Sequence, residues 1–284
     1  MIHLSAFADE ISADLNEQIE VILSEHIHFI DLRGVWNTNV LDLSDRQVTE
    51  IKQRLDAQDI RVSAIASPIG KTPINAPFEE HLQRFQRAIE QAQFFQTPFI
   101  RIFSFYPPVA VSEANGEKGI VDPSMWRNEV LRRLRELTRL ARNTNLILLH
   151  ENEKEIYGDT MVRCIDLLQN INDPHFQAIF DPANFIQCKQ TPYPDAFQAL
   201  RPWLRYMHVK DALADGTVVA AGEGVTQWLD IVQQLHLDGY DGFFSLEPHL
   251  ALAGQFQGFS GPELFHKASQ SFQQLLQSID WKYE

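Results

Sequence analysis

The sequence predicts a (β/α)8 barrel, the TIM barrel architecture, as a single domain spanning residues 1–284. Three observations carry that expectation: eight short and nearly continuous apolar runs, helical patterns between them, and a repeat of about 30 to 40 residues. Runs that are apolar throughout, rather than at every second position, suit parallel strands covered by helices on at least one face. A doubly wound open sheet is the other arrangement of the same elements.

The runs are IHLSAFA from residue 2, FIDLRG from 29, IRVSAIAS from 60 and FIRIFSF from 99, then LILLHE from 146, FQAIFD from 176, LRYMHVKD from 204 and GFFSLE from 242. Between the second and third, SDRQVTEIKQRL offers Ser44 and Gln47 as a capping box and Val48, Ile51 and Leu55 as a buried stripe. FEEHLQRFQRAIEQAQFF and MWRNEVLRRLRELTRLAR follow the same helical period. In DTMVRCIDLLQNI, Met161, Cys164, Ile165 and Leu168 share one helical face, which makes Cys164 a core residue. Three segments, SPIGKTPINAP, YPPVAVSEANGEKGIVDP and HLALAGQFQGFSGP, follow the third, fourth and eighth strands. They exceed the usual connection of about 2 to 6 residues. On a barrel they lie at the C-terminal rim, where lids and substrate walls are expected.

Composition narrows the function. A formal charge of -14, from 24 Lys and Arg against 38 Asp and Glu, opposes a nucleic-acid binder, which needs a concentrated basic face. No stretch reaches the roughly 18 to 20 apolar residues of a membrane helix. The start MIHLSAFADE lacks a basic region followed by an apolar one, so the expected location is cytoplasmic. Cys164 and Cys188 are too few for a disulfide framework and agree with a reducing compartment. Apolar positions in FQQLLQSIDWKYE suggest a surface that a second copy could cover, giving a homo-oligomer.

The chemistry sits at the ends of the late strands. Glu151, Asp181, His208 and Glu247 are separated by 30, 27 and 39 positions, each about one strand–helix repeat. On a barrel they converge at the C-terminal rim of strands five to eight. Three carboxylates and one imidazole form a mainly hard oxygen site suited to one divalent ion: Mn, Mg, Co or Zn. Any one of these residues alone could be an ordinary capping group; four successive strand tips in register point to a ligand set. His150 is expected to face the opposite way from Glu151, and Glu10 in FADEIS to cap the first helix.

FADEIS, IDLRGVW, LLHENEKEIYGDT, FDPANF, HVKD, GEG and SLEPH together resemble the xylose isomerase-like TIM barrels, the sugar phosphate isomerase/epimerase superfamily, over essentially the whole chain. The resemblance implies one divalent metal held by Glu151, Asp181, His208 and Glu247. It also implies a metal-dependent isomerase or epimerase acting on a small carbohydrate by proton transfer through an enediolate. In the epimerases of that family the two metal-binding glutamates exchange the proton, which here assigns catalysis to Glu151 and Glu247. Ketose 3-epimerases carry a histidine three residues after the metal aspartate and an arginine six after the metal histidine; this chain has Asn184 and Ala214 there.

Further substrate contacts are expected from Asn184, Lys210, Glu223 in the GEG turn, His249, Arg33 and Arg101. The two arginines could hold a phosphate or carboxylate. Lys210 could do the same, or pair with Asp211 at the surface. Phe103, Phe105, Tyr106 and Trp36 could cover the C–H face of a sugar or pack in the core. A dehydratase or lyase is the alternative within this class, because an enediolate can expel a β-hydroxyl instead of regaining its proton. A ligand-binding barrel without catalysis, and an endonuclease IV-like nuclease, are the readings from other classes. The nuclease requires histidines at many strand tips, which DLRG, AIAS and IFSF do not supply.

Overall fold

The structure, a computed structural model, describes residues 1–111, 118–120, 122–250 and 259–284. Eight parallel strands close into a barrel in chain order: β1 (His3–Ala6), β2 (Phe29–Leu32), β3 (Arg61–Ile65), β4 (Phe99–Ile102), β5 (Ile147–Glu151), β6 (Phe176–Phe180), β7 (Leu204–Val209) and β8 (Phe243–Leu246). Each falls inside one of the eight apolar runs. Closure comes from β1, which pairs with β2 on one side and β8 on the other.

The helices are α1 (Leu15–Ser24), α2 (Asp45–Asp56), α3 (Phe78–Phe95), α4 (Arg127–Arg142), α5 (Met161–Ile171), the short α6 (Pro182–Gln187) and α7 (Phe197–Leu200), α8 (Trp228–Leu237) and α9 (Gly261–Ser278). Helix α2 begins with the expected capping box, Ser44 accepting from Gln47 N while the Gln47 side chain accepts from Ser44 N. Its Val48, Ile51 and Leu55 are buried, as the stripe requires. Cys164 is buried on α5, its thiol directed at the Gly158 carbonyl.

Three two-stranded ribbons decorate the rim, Gly34–Val35 with Thr38–Asn39, Val109–Val111 with Lys118–Ile120, and Asp211–Ala212 with Val218–Val219. The expected lids after β4 and β8 fall partly outside the described residues, at 112–117, 121 and 251–258. The loop after β3 is described in full and runs alongside the segment after β4, with Phe103 N donating to Ile69 O and Phe105 N to Gly70 O. Gly70 has φ +90°, and a Cβ there would lie 2.0 Å from Phe103 O, so only glycine allows this approach.

The C-terminal segment exposes less apolar surface than its sequence suggests. The apolar residues of the C-terminal segment pack against the chain itself: Phe272, Leu276 and Trp281 are buried, with Trp281 stacked on His236 and edge-on to Phe244. Among the described residues no helix is long and apolar enough to cross a membrane.

Alternation along the strands sorts the barrel interior into layers. One layer has an apolar side of Phe99, Leu149, Ile179 and Tyr206 and a polar side in which Asp31 meets Ser5, Ser63 and Ser245. Two positions further along the same strands stand Arg33, Arg101, Glu151, Asp181, His208 and Glu247, the rim layer.

Candidate metal centre

Glu151, Asp181, His208 and Glu247 converge, each offering a ligand atom within 4.8 Å of the others, and all four are buried. Their positions follow from local structure. Glu151 ends β5, and the next residue, Asn152, bridges to the following strand by donating to Asp181 O and accepting from Asp181 N, both at 2.9 Å. Asp181 caps α6 through Oδ1, which accepts from Asn184 N at 2.9 Å. That leaves Oδ2 facing the barrel axis. His208 Nδ1 lies 3.3 Å from both Glu151 Oε1 and Glu247 Oε2.

Cations from other strands surround the carboxylates. Lys210 Nζ is 2.7 Å from Asp181 Oδ2 and 3.5 Å from Glu247 Oε2. Arg101 on β4 reaches Glu151 Oε2 at 3.2 Å and Glu247 Oε1 at 3.5 Å. Arg33, just past β2, reaches Glu247 Oε1 at 3.1 Å and Asp9 Oδ2 at 2.7 Å. Burial opposes the charge on Glu151, but His208 and Arg101 hold its pKa down to about 2. Burial likewise disfavours a charged His208, yet Glu151 and Glu247 outweigh it and push the imidazole up to about 10. Burial lifts Asp181 to about 6 against the pull of Lys210, with Glu151 and Glu247 adding to the rise.

These residues fit a divalent ion. Asp181 Oδ2 and both nitrogens of His208 are buried and have no aligned hydrogen-bond partner. Three buried, mutually repelling carboxylates favour positive charge, part of which Lys210, Arg33 and Arg101 already supply. The donor set of carboxylate oxygens with one imidazole suits Mg, Mn, Co or Zn. Among the described residues one further cluster could hold a metal, Glu10, Glu247 and His249; it shares Glu247 with the first, and Arg33 lies 3.7 Å from Glu10 Oε1 and 3.1 Å from Glu247 Oε1.

The other expected site residues divide into two groups. Arg33, Arg101, Lys210 and His249 are at the centre, and Lys210 pairs with Asp181 instead of its neighbour Asp211. Asp211 is buried and accepts backbone N–H groups from Ala212, Gly222, Gly224 and Thr226, so it shapes the GEG turn. Asn184 is directed at the cage: its side-chain amide donates to Glu151 Oε1 at 3.3 Å and Asn152 O at 2.9 Å. Glu223 does not reach the centre. Its carboxylate is exposed and pairs with Lys267 of α9 at 2.8 Å, because Asp211 anchors the turn with that side chain outward. His150 faces away, buried against Phe176, and burial lowers its pKa to about 4.

Glu10 is not a helix cap; Asp14 caps α1 by accepting from Asn16 N and Glu17 N. Glu10 is instead buried at the rim, where its carboxylate accepts from His249 N and Ser260 Oγ and lies 3.1 Å from His249 Nε2. Of the aromatic residues, Phe105 packs in the core against His81, and Trp36 lines an outer cleft with Asp14, Arg46 and Arg54. Phe103 lies between Arg101 and Lys71, whose Nζ is 4.3 Å from the ring centroid. Sequence reasoning missed Asp9 and Asn152 at the centre. Their signal was weak: each is a polar residue beside a strand end, as many turn residues are.

A closed eight-stranded barrel with a carboxylate–imidazole cluster at its C-terminal rim defines a class of barrel whose rim could hold a metal ion. The chain belongs to the xylose isomerase-like TIM barrel family, whose model matches residues 26–275. It is 23% identical over 235 residues to the 3-dehydroshikimate dehydratase of Bacillus anthracis, covering 75% of this chain and 79% of the relative. Among solved structures it is similar to a D-tagatose 3-epimerase-like protein, with a TM-score of 0.74 and 15% identity over 98% of both chains. A xylose isomerase-like barrel from Mycobacterium smegmatis in complex with magnesium has a TM-score of 0.72 and 16% identity, covering 98% of this chain and 96% of its own. At these identities the structural likeness speaks for the fold.

Proposed function

We propose that this chain is a divalent-metal-dependent enzyme that takes a proton from the carbon beside a carbonyl in a small polyhydroxylated compound. The observation that carries this reading is the buried set of Glu151, Asp181, His208 and Glu247. A divalent ion bound there supplies electrostatic stabilisation for the negative charge that an enediolate places on oxygen, an effect of several kcal/mol. The chain's own residues do the rest. Glu151 and Glu247 approach His208 Nδ1 from two strands at 3.3 Å each, so a carbon held over the imidazole has a carboxylate on either side. Both are kept ionised, the state a general base requires. Arg101 and Lys210 orient those carboxylates and present N–H groups toward substrate oxygens.

Dehydration of a hydroxylated carbonyl compound is the outcome to test first. A β-hydroxyl leaves readily from the enediolate, and a relative of this chain is a dehydratase. Epimerisation or isomerisation is the second reading, favoured by the two glutamates facing each other across one imidazole. The test is to load chelator-stripped protein with Mn, Mg, Co or Zn and incubate it in D₂O with 3-dehydroshikimate and with a panel of ketoses. Loss of water with new ultraviolet absorbance supports dehydration, and deuterium uptake without loss of water supports epimerisation. A protein that binds these compounds yet exchanges none of their hydrogens is a ligand-binding barrel, and the proposal fails.

A further inference from the structure

One layer beneath the four ligands lies a buried carboxylate that the chemistry above does not use. Asp31 on β2 accepts on Oδ2 from Ser5 Oγ at 2.8 Å, Tyr206 OH at 2.8 Å and Ser63 Oγ at 3.3 Å, and also from Ser245 Oγ. Hydroxyls from four other strands therefore point at one oxygen. Burying an ionised carboxylate in a barrel interior is costly without a cation. Among the described residues no lysine or arginine forms an ion pair with Asp31; burial raises its pKa, against the pull of His208 and of the hydroxyl donors.

The register shows why. Tyr206 stands two positions before His208 on β7, and Ser245 two before Glu247 on β8. Ser245 is paired directly with His208 across the β7–β8 ladder. Asp31 thus occupies the floor of the cage on the side of the imidazole. His208 Nδ1 faces Glu151 and Glu247 at 3.3 Å; both ring nitrogens are buried and neither has an aligned hydrogen-bond partner. Metal-binding histidines commonly give their second N–H to a carboxylate, directly or through a water molecule, which fixes both tautomer and ring orientation.

We propose that Asp31, held by its four hydroxyls, is a positioning residue for His208: its charge favours the tautomer protonated on Nε2 and leaves the Nδ1 lone pair facing the ion between Glu151 and Glu247. The proposal rests on the metal reading above. Asp31 touches neither substrate nor metal, and its effect is on how tightly and in what geometry the ion is held.

The experiment compares wild type with Asp31→Asn, which keeps the shape and removes the charge, and with Tyr206→Phe, which keeps the ring and removes one donor. Co²⁺ is titrated into each chelator-stripped protein by calorimetry, its visible absorption is recorded, and thermal unfolding of the stripped proteins is measured alongside. One ion per wild-type chain is expected, with affinity about 10- to 100-fold weaker and an altered cobalt spectrum in Asp31→Asn. Tyr206→Phe is expected to lose several-fold, and unfolding of the stripped variants is expected to stay near wild type. Equal affinity and an unchanged spectrum in Asp31→Asn overturn the positioning role. Should that variant fail to fold, Tyr206→Phe and Ser245→Ala decide by the same two readouts. A wild type that takes up no ion overturns the metal reading itself, and the positioning role with it.

Discussion

Replacing Lys210 by methionine removes a charge from the middle of the centre while keeping much of the side chain's volume. Lys210 is 3% exposed, with Nζ at 2.7 Å from Asp181 Oδ2 and 3.5 Å from Glu247 Oε2. At an effective dielectric of about 20, Coulomb's law gives about 6 kcal/mol for the first contact and about 5 kcal/mol for the second. Taking the ammonium out of water offsets several kcal/mol of that, and breaking a buried pair by removing one partner costs about 3–5 kcal/mol. The chelator-stripped variant is therefore expected to unfold roughly 6–20 °C below wild type, at about 2–4 °C per kcal/mol for a chain of this size. Bound metal reverses the order of effects. The carboxylates that Lys210 no longer balances attract a dication more strongly, so loading raises the variant's Tm by more than it raises that of wild type. Thermal unfolding of both proteins, stripped and across a Mn²⁺ series, measures this. A stripped variant as stable as wild type, or one that metal rescues no better than wild type, refutes Lys210 as the counter-charge of the cage.

Other outcomes are as specific. Glu151→Gln and Asp181→Asn are each expected to bind less than one tight divalent ion per chain by elemental mass spectrometry; full occupancy in both removes them from the ligand set. Glu223→Ala should leave turnover unchanged and shift stability by less than about 0.5 kcal/mol, since only an exposed pair with Lys267 is lost; a large loss of kcat returns Glu223 to the site. Gly224→Ala should destabilise by more than about 3 kcal/mol, because its Cβ would stand 2.2 Å from Asp211 Oδ1 and 2.3 Å from Ala212 O. A wild-type urea midpoint in that variant argues against the Asp211-anchored turn. His81 Nε2 accepts from Gly70 N at 3.1 Å, and burial, with Arg133 and Arg84, lowers its pKa to about 4. As pH falls below about 6.5 the unfolded chain takes up that proton first. The stability given by neutral His81 is thus whole above that pH and lost progressively towards pH 4. Urea unfolding of both proteins across this range isolates the effect: His81→Gln should lose less stability than wild type between about pH 6.5 and 4, and equal losses refute the role of His81.

The fold was legible because its signals are local and repeated: eight apolar runs became eight strands, and Ser44 with Gln47 capped α2 as their spacing required. The spacing of Glu151, Asp181, His208 and Glu247 was legible for the same reason, since period-two alternation and a fixed repeat length decide which residues share the rim. Partner choice was not. Lys210 could be placed on its strand but not matched to Asp181, which depends on where the neighbouring strand ends. Glu223 misled because Gly-Glu-Gly says that a turn exists, whereas its outward rotation is decided by Asp211, eleven or more residues earlier. Glu10 and Asp31 were hidden for a related reason. A carboxylate near a strand reads as a cap or a surface group until barrel closure brings β8 and its loop, or four hydroxyls, around it.

All four candidate ligands come from β5 to β8, whereas Arg33 and Arg101 arrive from β2 and β4. The second half of the barrel therefore carries the candidate metal set together with Lys210, and the first half adds the two arginines. Such a partition separates what can vary from what cannot. Loops after β1 to β4 contain no candidate ligand, so a laboratory effort to redirect this protein should place its diversity there, keeping Asp9, Glu10, Arg33 and Arg101, and leave residues 147–247 alone.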